Sequence, residues 1–123
     1  MEKAAIVLLV DDEAVLLRSM SRLFQSEHYD LVTSFTARGA LKAITELGDR
    51  VRLLITDLAL PDMNGQELVR QAELLNPRIR SLFITGWPAP KGEEHRTFMK
   101  PFDTLAFRSR ILFELKLSLP ARP

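Results

Sequence analysis

The chain has 123 residues, a length that suits a single domain with one core. Hydrophobic residues make up 46% and charged residues 27%, which argues against a chain that is disordered throughout. The net charge of +1 gives no general attraction to nucleic acid or to a membrane surface, and the absence of cysteine excludes disulfides and thiolate metal sites. No apolar run approaches the roughly 20 residues that span a bilayer, so we expect a cytoplasmic protein.

Five short apolar runs alternate with segments of helical periodicity. Strands are predicted over residues 4–10, 30–35, 51–56, 81–84 and 97–99. Helices are predicted over residues 14–27, 37–47, 65–75 and 103–117, the second and third capped by Thr36 and Asn64. Asp62, in the turn before the third helix, is interpreted as a turn residue. The alternation predicts an α/β fold in which helices cover both faces of a parallel sheet.

Polar side chains stand where the apolar runs end. They are Asp11 and Asp12 after the first strand, Asp57 after the third, Thr85 after the fourth and Lys100 after the fifth. The C-terminal ends of the strands form the ligand crevice of an open α/β sheet, so we expect these five side chains to converge.

Three carboxylates at one place repel one another, and a divalent cation relieves that repulsion. A set of oxygen ligands without His or Cys suits Mg²⁺ or Mn²⁺. We expect Asp12 and Asp57 to bind the ion directly and Asp11 to hold a coordinated water. The backbone carbonyl of Ala59 is a further candidate ligand.

A carboxylate such as that of Asp57 can also act as a nucleophile towards phosphorus. Phosphoryl transfer requires positioning and charge stabilisation more than covalent chemistry from the protein. The Lys100 ammonium and the Thr85 hydroxyl are therefore candidate catalytic groups beside Asp57. The backbone N–H groups of Ala59 and Gly86 are candidate donors to the phosphoryl oxygens.

Four segments resemble the receiver domains of two-component signalling. They are residues 8–13 (LLVDDE), 56–65 (TDLALPDMNG), 84–86 (ITG) and 99–102 (MKPF). The resemblance implies a flavodoxin-like three-layer receiver fold with a five-stranded parallel sheet over residues 1–118, followed by a tail or the start of a linker over 119–123. It also implies a two-component or phosphorelay function that regulates a partner or output module. The phosphoryl group would come from a histidine kinase or histidine phosphotransfer protein, and the Lys100–Pro101 peptide would be cis.

The segment between Thr85 and Lys100 is short for this family. It spans only 15 positions (100 − 85) and contains two prolines and two glycines, which a stable helix does not accommodate. The fourth helix of the family is therefore predicted to be replaced by a loop or a single turn.

The switch region, formed by Thr85, Thr97 and Phe98, also departs from the family. Receivers carry an aromatic residue three positions before the lysine, where this chain has Thr97. The neighbouring Phe98 should point to the opposite face of its strand. Whether Thr85 is coupled to an aromatic switch residue in this chain therefore stays an open question. Trp87 is interpreted either as a loop anchor or as a lid that slows hydrolysis of an acyl phosphate.

The last predicted helix carries two apolar stripes. The first should face the sheet and consists of Leu105, Ile111, Leu112, Leu115 and Leu119. The second consists of Ala106, Phe113 and Leu117. It is expected either to cover the space left by the missing helix or to contact a partner or a second copy of the chain.

Four other functions can be compared with this interpretation. A degenerate receiver that binds partners without phosphorylation stays open, because the short segment could have removed the switch. A phosphatase with an Asp57 nucleophile would need a general acid at position 59, where this chain has Ala59. A flavodoxin would need a phosphate loop after the first strand, where Asp11 and Asp12 would repel phosphate. No basic stripe or recognition motif indicates DNA binding.

Overall fold

The structure is a computed structural model that describes residues 4–118, so the predicted tail 119–123 lies outside the described residues. Its five strands are β1 (Ile6–Val10), β2 (Asp30–Ser34), β3 (Val51–Asp57), β4 (Arg80–Thr85) and β5 (Thr97–Met99). Its α-helices are α1 (Ala14–Leu23), α2 (Ala37–Leu47), α3 (Gly65–Leu75) and α4 (Thr104–Ser118). The strands form one parallel sheet in the order β2-β1-β3-β4-β5, which confirms the predicted flavodoxin-like fold.

Alternate residues of β1 face the two sides of the sheet. Leu8 and Val10 pack with side chains of α2 and α3, whereas Val7 and Leu9 pack with side chains of α1 and α4. All four side chains are buried, because helices cover both faces of the parallel sheet. The continuous apolar run of this strand therefore reflects its central position.

The connection between β4 and β5 contains a single 3₁₀ turn, Glu94–Arg96, as predicted. The chain's fourth α-helix is the one that follows β5. Strand β5 begins opposite Phe83 of β4. The preceding part of β4, Arg80–Leu82, therefore pairs with β3 on one side and has no neighbouring strand on its other side within the described part of the chain. A groove lies beside this half of β4.

Helix α4 packs on the sheet through a face that only partly matches the predicted one. Leu105 and Leu112 were expected to face the sheet but are exposed. Ile111 and Leu115 are buried as predicted, and Phe107 is buried with them, because a spacing of four residues places the three on one side of the helix. The signal that was missed is Phe107, which packs at 4.6–5.0 Å between ring centroids against three other phenylalanines.

The second predicted stripe of α4 is open to solvent. Phe113 is 54% exposed and Leu117 is 50% exposed, and Ala106 is exposed beside them. None of the helices within residues 4–118 is both long and apolar enough to cross a membrane.

Candidate functional site

The C-terminal ends of four strands bring the predicted polar side chains together. Asp11 follows β1, Asp57 ends β3, Thr85 ends β4 and Lys100 follows β5. Asp11, Asp57 and Thr85 are buried, and Lys100 is half-buried. Asp12 is the exposed member of the group. The topology of the sheet therefore places these groups at one edge, as predicted.

Lys100 lies between the two buried carboxylates. Its Nζ donates to Oδ2 of Asp11 and to Oδ2 of Asp57, both at 2.9 Å. A third carboxylate, Oε1 of Glu13, lies 3.5 Å from the same nitrogen. Burial alone would lower the pKa of Lys100, but the hydrogen bonds from Lys100 to Asp57 and Asp11 outweigh it and raise that pKa above its ordinary value. Lys100 is therefore held as a cation beside Asp57.

The other oxygens of the buried carboxylates accept backbone hydrogen bonds. The N–H of Glu13 donates to Oδ1 of Asp11 at 2.9 Å, and the N–H of Ala59 donates to Oδ1 of Asp57 at 3.0 Å. Burial raises the pKa of Asp11, although the Glu13 N–H and the Lys100 ammonium oppose this shift. Sequence reasoning had given Glu13 no role, and its position next to the acidic pair was the available signal.

The acidic side chains form a group that fits a hard cation. Asp11, Asp12 and Asp57 each offer one carboxylate oxygen, and these oxygens lie within 4.8 Å of one another. The single Lys100 ammonium balances only one of three carboxylates when all are ionised. An all-oxygen donor set with excess negative charge matches the preference of Mg²⁺ or Mn²⁺.

The end of β4 is connected both to the Trp87 loop and to Lys100. Oγ1 of Thr85 accepts the N–H of Trp87 at 3.0 Å, and the carbonyl of Thr85 accepts the N–H of Lys100 at 2.7 Å. The Lys100–Pro101 peptide is cis. A Cβ added to Gly86 would meet no atom within 4 Å, so its backbone is open to approach. The Trp87 side chain is 75% exposed, which excludes the loop-anchor interpretation in this conformation.

Gly65 is required where the chain passes closest to Asp57. A Cβ at this position would lie 2.5 Å from the backbone oxygen of Asp57 and 3.0 Å from Cα of Leu58. A hydrogen bond from the Gly65 N–H to the Leu58 carbonyl, 2.8 Å long, holds the two backbone segments together here. The turn after β3 can close behind Asp57 only because this residue has no side chain.

The switch residues are placed on different sides of β5. Thr97 is half-buried, and its Oγ1 donates to the Glu93 carbonyl at 2.6 Å. Phe98 packs against Phe107 with ring centroids 4.8 Å apart, on the face of the sheet that α1 and α4 cover. The predicted opposite orientation of Phe98 is therefore present.

A parallel five-stranded sheet with an acidic cluster and a lysine at its carboxyl edge defines a flavodoxin-like protein of the receiver class. The family model of the response regulator receiver domain matches residues 7–106. The chain therefore belongs to the response regulator receiver domain family of two-component systems.

The chain spans only about a tenth of the length of some of the relatives that it matches. It is 32% identical over 84 residues to the sensor kinase CckA of Brucella abortus, a match that covers 68% of this chain and 9% of that protein. It is 29% identical over 83 residues to the response regulator receiver protein CpdR of the same organism, covering 68% of each. A CheY-like receiver domain protein from Methanospirillum hungatei matches with a TM-score of 0.82 at 25% identity, covering 94% of this chain and 97% of that one.

Proposed function

We propose that this receiver accepts a phosphoryl group on Asp57 from the phosphohistidine of a histidine kinase or a histidine phosphotransfer protein. The observation that carries the proposal is the position of the Lys100 ammonium, 2.9 Å from carboxylate oxygens of both Asp57 and Asp11. A cation fixed there stabilises charge on a phosphoryl group bound to Asp57.

The chemistry follows from the residues around Asp57. A carboxylate oxygen of Asp57 attacks phosphorus, the P–N bond to the donor imidazole breaks, and the imidazole leaves with the bonding electrons. Lys100 binds the transferred group as a point charge. The Thr85 hydroxyl and the N–H groups of Ala59 and Gly86 donate to phosphoryl oxygens. For Ala59 this means exchanging the hydrogen bond that its N–H makes to Asp57 in the present conformation, whereas the Thr85 hydroxyl accepts the Trp87 N–H and can still donate its own hydrogen.

Asp11, Asp12 and Asp57 would hold the cation, with Ala59 adding its backbone carbonyl. Mg²⁺ or Mn²⁺ bound there would offset the negative charge of the carboxylates and of the phosphoryl oxygens. The role of Asp12 is distinct, because it is the exposed carboxylate and is therefore the one open to an incoming ion.

The proposed reaction places the domain in a two-component or phosphorelay system. Residues 1–118 act as the receiver, 119–123 act as a tail or the start of a linker, and phosphorylation regulates a partner or output module. The domain catalyses its own phosphorylation and dephosphorylation and does not turn over external substrates. We place this exchange in the cytoplasm, where the phosphoryl donor draws on ATP.

Acetyl phosphate in the presence of Mg²⁺ should add one phosphoryl group to the protein, measured as intact mass. Asp57→Asn should abolish the addition because it removes the nucleophile, whereas Asp49→Asn, an exposed aspartate outside the site, should retain it. If Trp87 acts as a lid, Trp87→Ala should shorten the lifetime of the phosphoryl group. Phosphorylation that persists in Asp57→Asn would contradict the assignment of the acceptor.

A second function, a receiver that binds its partner without phosphorylation, is favoured by one observation. The short β4–β5 connection holds Thr85 and Thr97 in local hydrogen bonds, and the position that is aromatic in the family switch is occupied by Thr97. Equal partner affinity before and after treatment with beryllofluoride, with Asp57 intact, would support this alternative.

A further inference from the structure

A groove of about 670 Å³ lies at the opposite end of β4 from Thr85. It occupies the space beside Arg80–Leu82, where β5 has not yet begun, and it is bordered by the end of α3 and by α4. Side chains that line it include Arg78, Arg80, His95, Arg96, Arg110 and Leu117. The β4–β5 connection contributes only His95 and Arg96 of its single turn to the lining.

Three of the four arginines that line the groove are held in place by contacts within the protein. Glu114 accepts from Nε of Arg80 at 2.7 Å through Oε1 and from Nε of Arg110 at 3.1 Å through Oε2. The Arg96 guanidinium lies 4.9 Å from the ring centroid of Phe83 and donates to Ser81 Oγ at 2.6 Å. Ordered guanidinium groups lose less entropy when they bind a ligand, so the groove is preorganised.

The arginine side chains of the groove are more exposed than the glutamate side chains that pair with them. The Glu114 side chain is 4% exposed, whereas the side chain of Arg80 is 40% exposed. Glu93, which pairs with Arg96, is also less exposed than its partner. Arg78 is exposed, and its side chain makes no ion pair or hydrogen bond with residues 4–118. Guanidinium N–H groups that face solvent in this way are suited to bidentate binding of carboxylates.

We propose that this arginine groove is a docking site for an acidic segment of a partner protein. Carboxylates of the segment bind Arg78, Arg80 and Arg110, and an apolar side chain of the segment packs on the half-exposed Leu117. Charge complementarity selects an acidic occupant, because the lining holds four arginines against two acids, the exposed Glu73 and the buried Glu114. The groove and the carboxylates around Asp57 lie at opposite ends of the strands, so docking does not require phosphorylation.

Fluorescence polarisation with a labelled peptide of alternating Glu and Leu residues tests the proposal. The peptide should bind, binding should weaken with added salt, and a matched peptide with Gln in place of Glu should not bind. Arg78→Glu should weaken binding about tenfold, since it reverses a charge at the contact. Lys42→Glu makes the same change of charge on the exposed surface of α2 and should change the affinity by less than about twofold.

Several results would overturn the proposal. These are an acidic peptide that does not bind, equal weakening by both variants, or peptide-induced amide shifts that lie away from Ser81, His95 and Leu117. A single-stranded oligonucleotide that binds with the same sensitivity to Arg78→Glu, when the acidic peptide does not bind, would assign the groove to nucleic acid instead. Thermal unfolding of both variants checks that each is folded, and retained binding by Asp57→Asn separates docking from the phosphoacceptor proposal.

Discussion

At the scale of single residues, the candidate site depends on close approaches that only certain side chains permit. Lys100 reaches two buried carboxylates at once, and each of these also accepts a backbone N–H. The chain behind Asp57 passes so close that position 65 must be glycine. The position of Asp57 is therefore fixed by two contacts, the ion pair of its carboxylate with Lys100 and the close packing of its backbone against Gly65.

Gly65→Ala should lower the free energy of unfolding by about 1–3 kcal/mol, because the new methyl group overlaps the backbone of Asp57 and the turn must shift. Urea unfolding measures the change. Gly86→Ala is the matched control, since its Cβ meets no atom within 4 Å and its unfolding midpoint should stay close to that of the parent chain. Equal stability of the two variants would contradict the close-approach explanation for Gly65.

At the scale of elements, the loop after β3 is tied to the start of α2. Oδ1 of Asp62 accepts the N–H of Ala37 at 3.0 Å and Oδ2 accepts the N–H of Arg38 at 2.9 Å. Thr36 Oγ1 accepts the next free N–H, that of Gly39, at 3.0 Å. Two side chains from distant parts of the chain thus satisfy the first turn of one helix. Asp62 lies in the turn before α3, as interpreted, and its side chain has in addition partners that are 24 and 25 residues away.

Asp62→Ala should lower the free energy of unfolding at neutral pH by about 1 kcal/mol, as loss of a helix cap does. Burial alone would raise the pKa of Asp62, but the N–H groups of Arg38 and Ala37 lower it below its ordinary value of 3.8. The Asp62 carboxylate therefore takes up a proton more readily in the unfolded chain than in the folded one. Its stabilisation of the fold is present above pH 3.8 and is lost as the pH falls through the lower pKa of the folded state.

Urea unfolding across a pH series measures this effect. The difference between Asp62→Ala and the parent chain should shrink as the solution is acidified below pH 3.8. Asp49→Ala is the control, because Asp49 is exposed and its side chain caps no helix. A difference that is constant with pH would show that the carboxylate charge is not what stabilises α2.

At the scale of the whole molecule, the replacement of one helix by a turn changes the surface on that side. The carboxyl edge of the sheet carries the acidic cluster, and the other end of β4 carries the arginine groove. Helix α4 leaves Phe113 and Leu117 half-exposed, and neither side chain belongs to the two core clusters of residues 4–118. Exposed apolar side chains on one helix face support a contact with a second copy of the chain or with a partner.

If a second copy makes this contact, the molar mass measured by light scattering should rise with protein concentration. Phe113→Ser should then give a monomer, because it removes the largest exposed apolar group of the stripe formed by Ala106, Phe113 and Leu117. Val15→Ser on α1 removes an even more exposed apolar side chain at a different place and should leave association unchanged. A constant monomer mass at all concentrations would exclude self-association through α4.

The sequence by itself determined the order of the elements, the single turn between β4 and β5 and the group of side chains at the strand ends. These follow from local patterns, since apolar runs mark buried strands, Pro and Gly interrupt helices, and parallel strands end at a common edge. Only the tertiary structure decided that Asp62 caps α2 and that Gly65 leaves room for Asp57. It also decided that Phe107 lies on the face of α4 that packs on the sheet, and that arginines line a groove. Each of these depends on distances between residues far apart in the chain, which periodicity and composition do not contain.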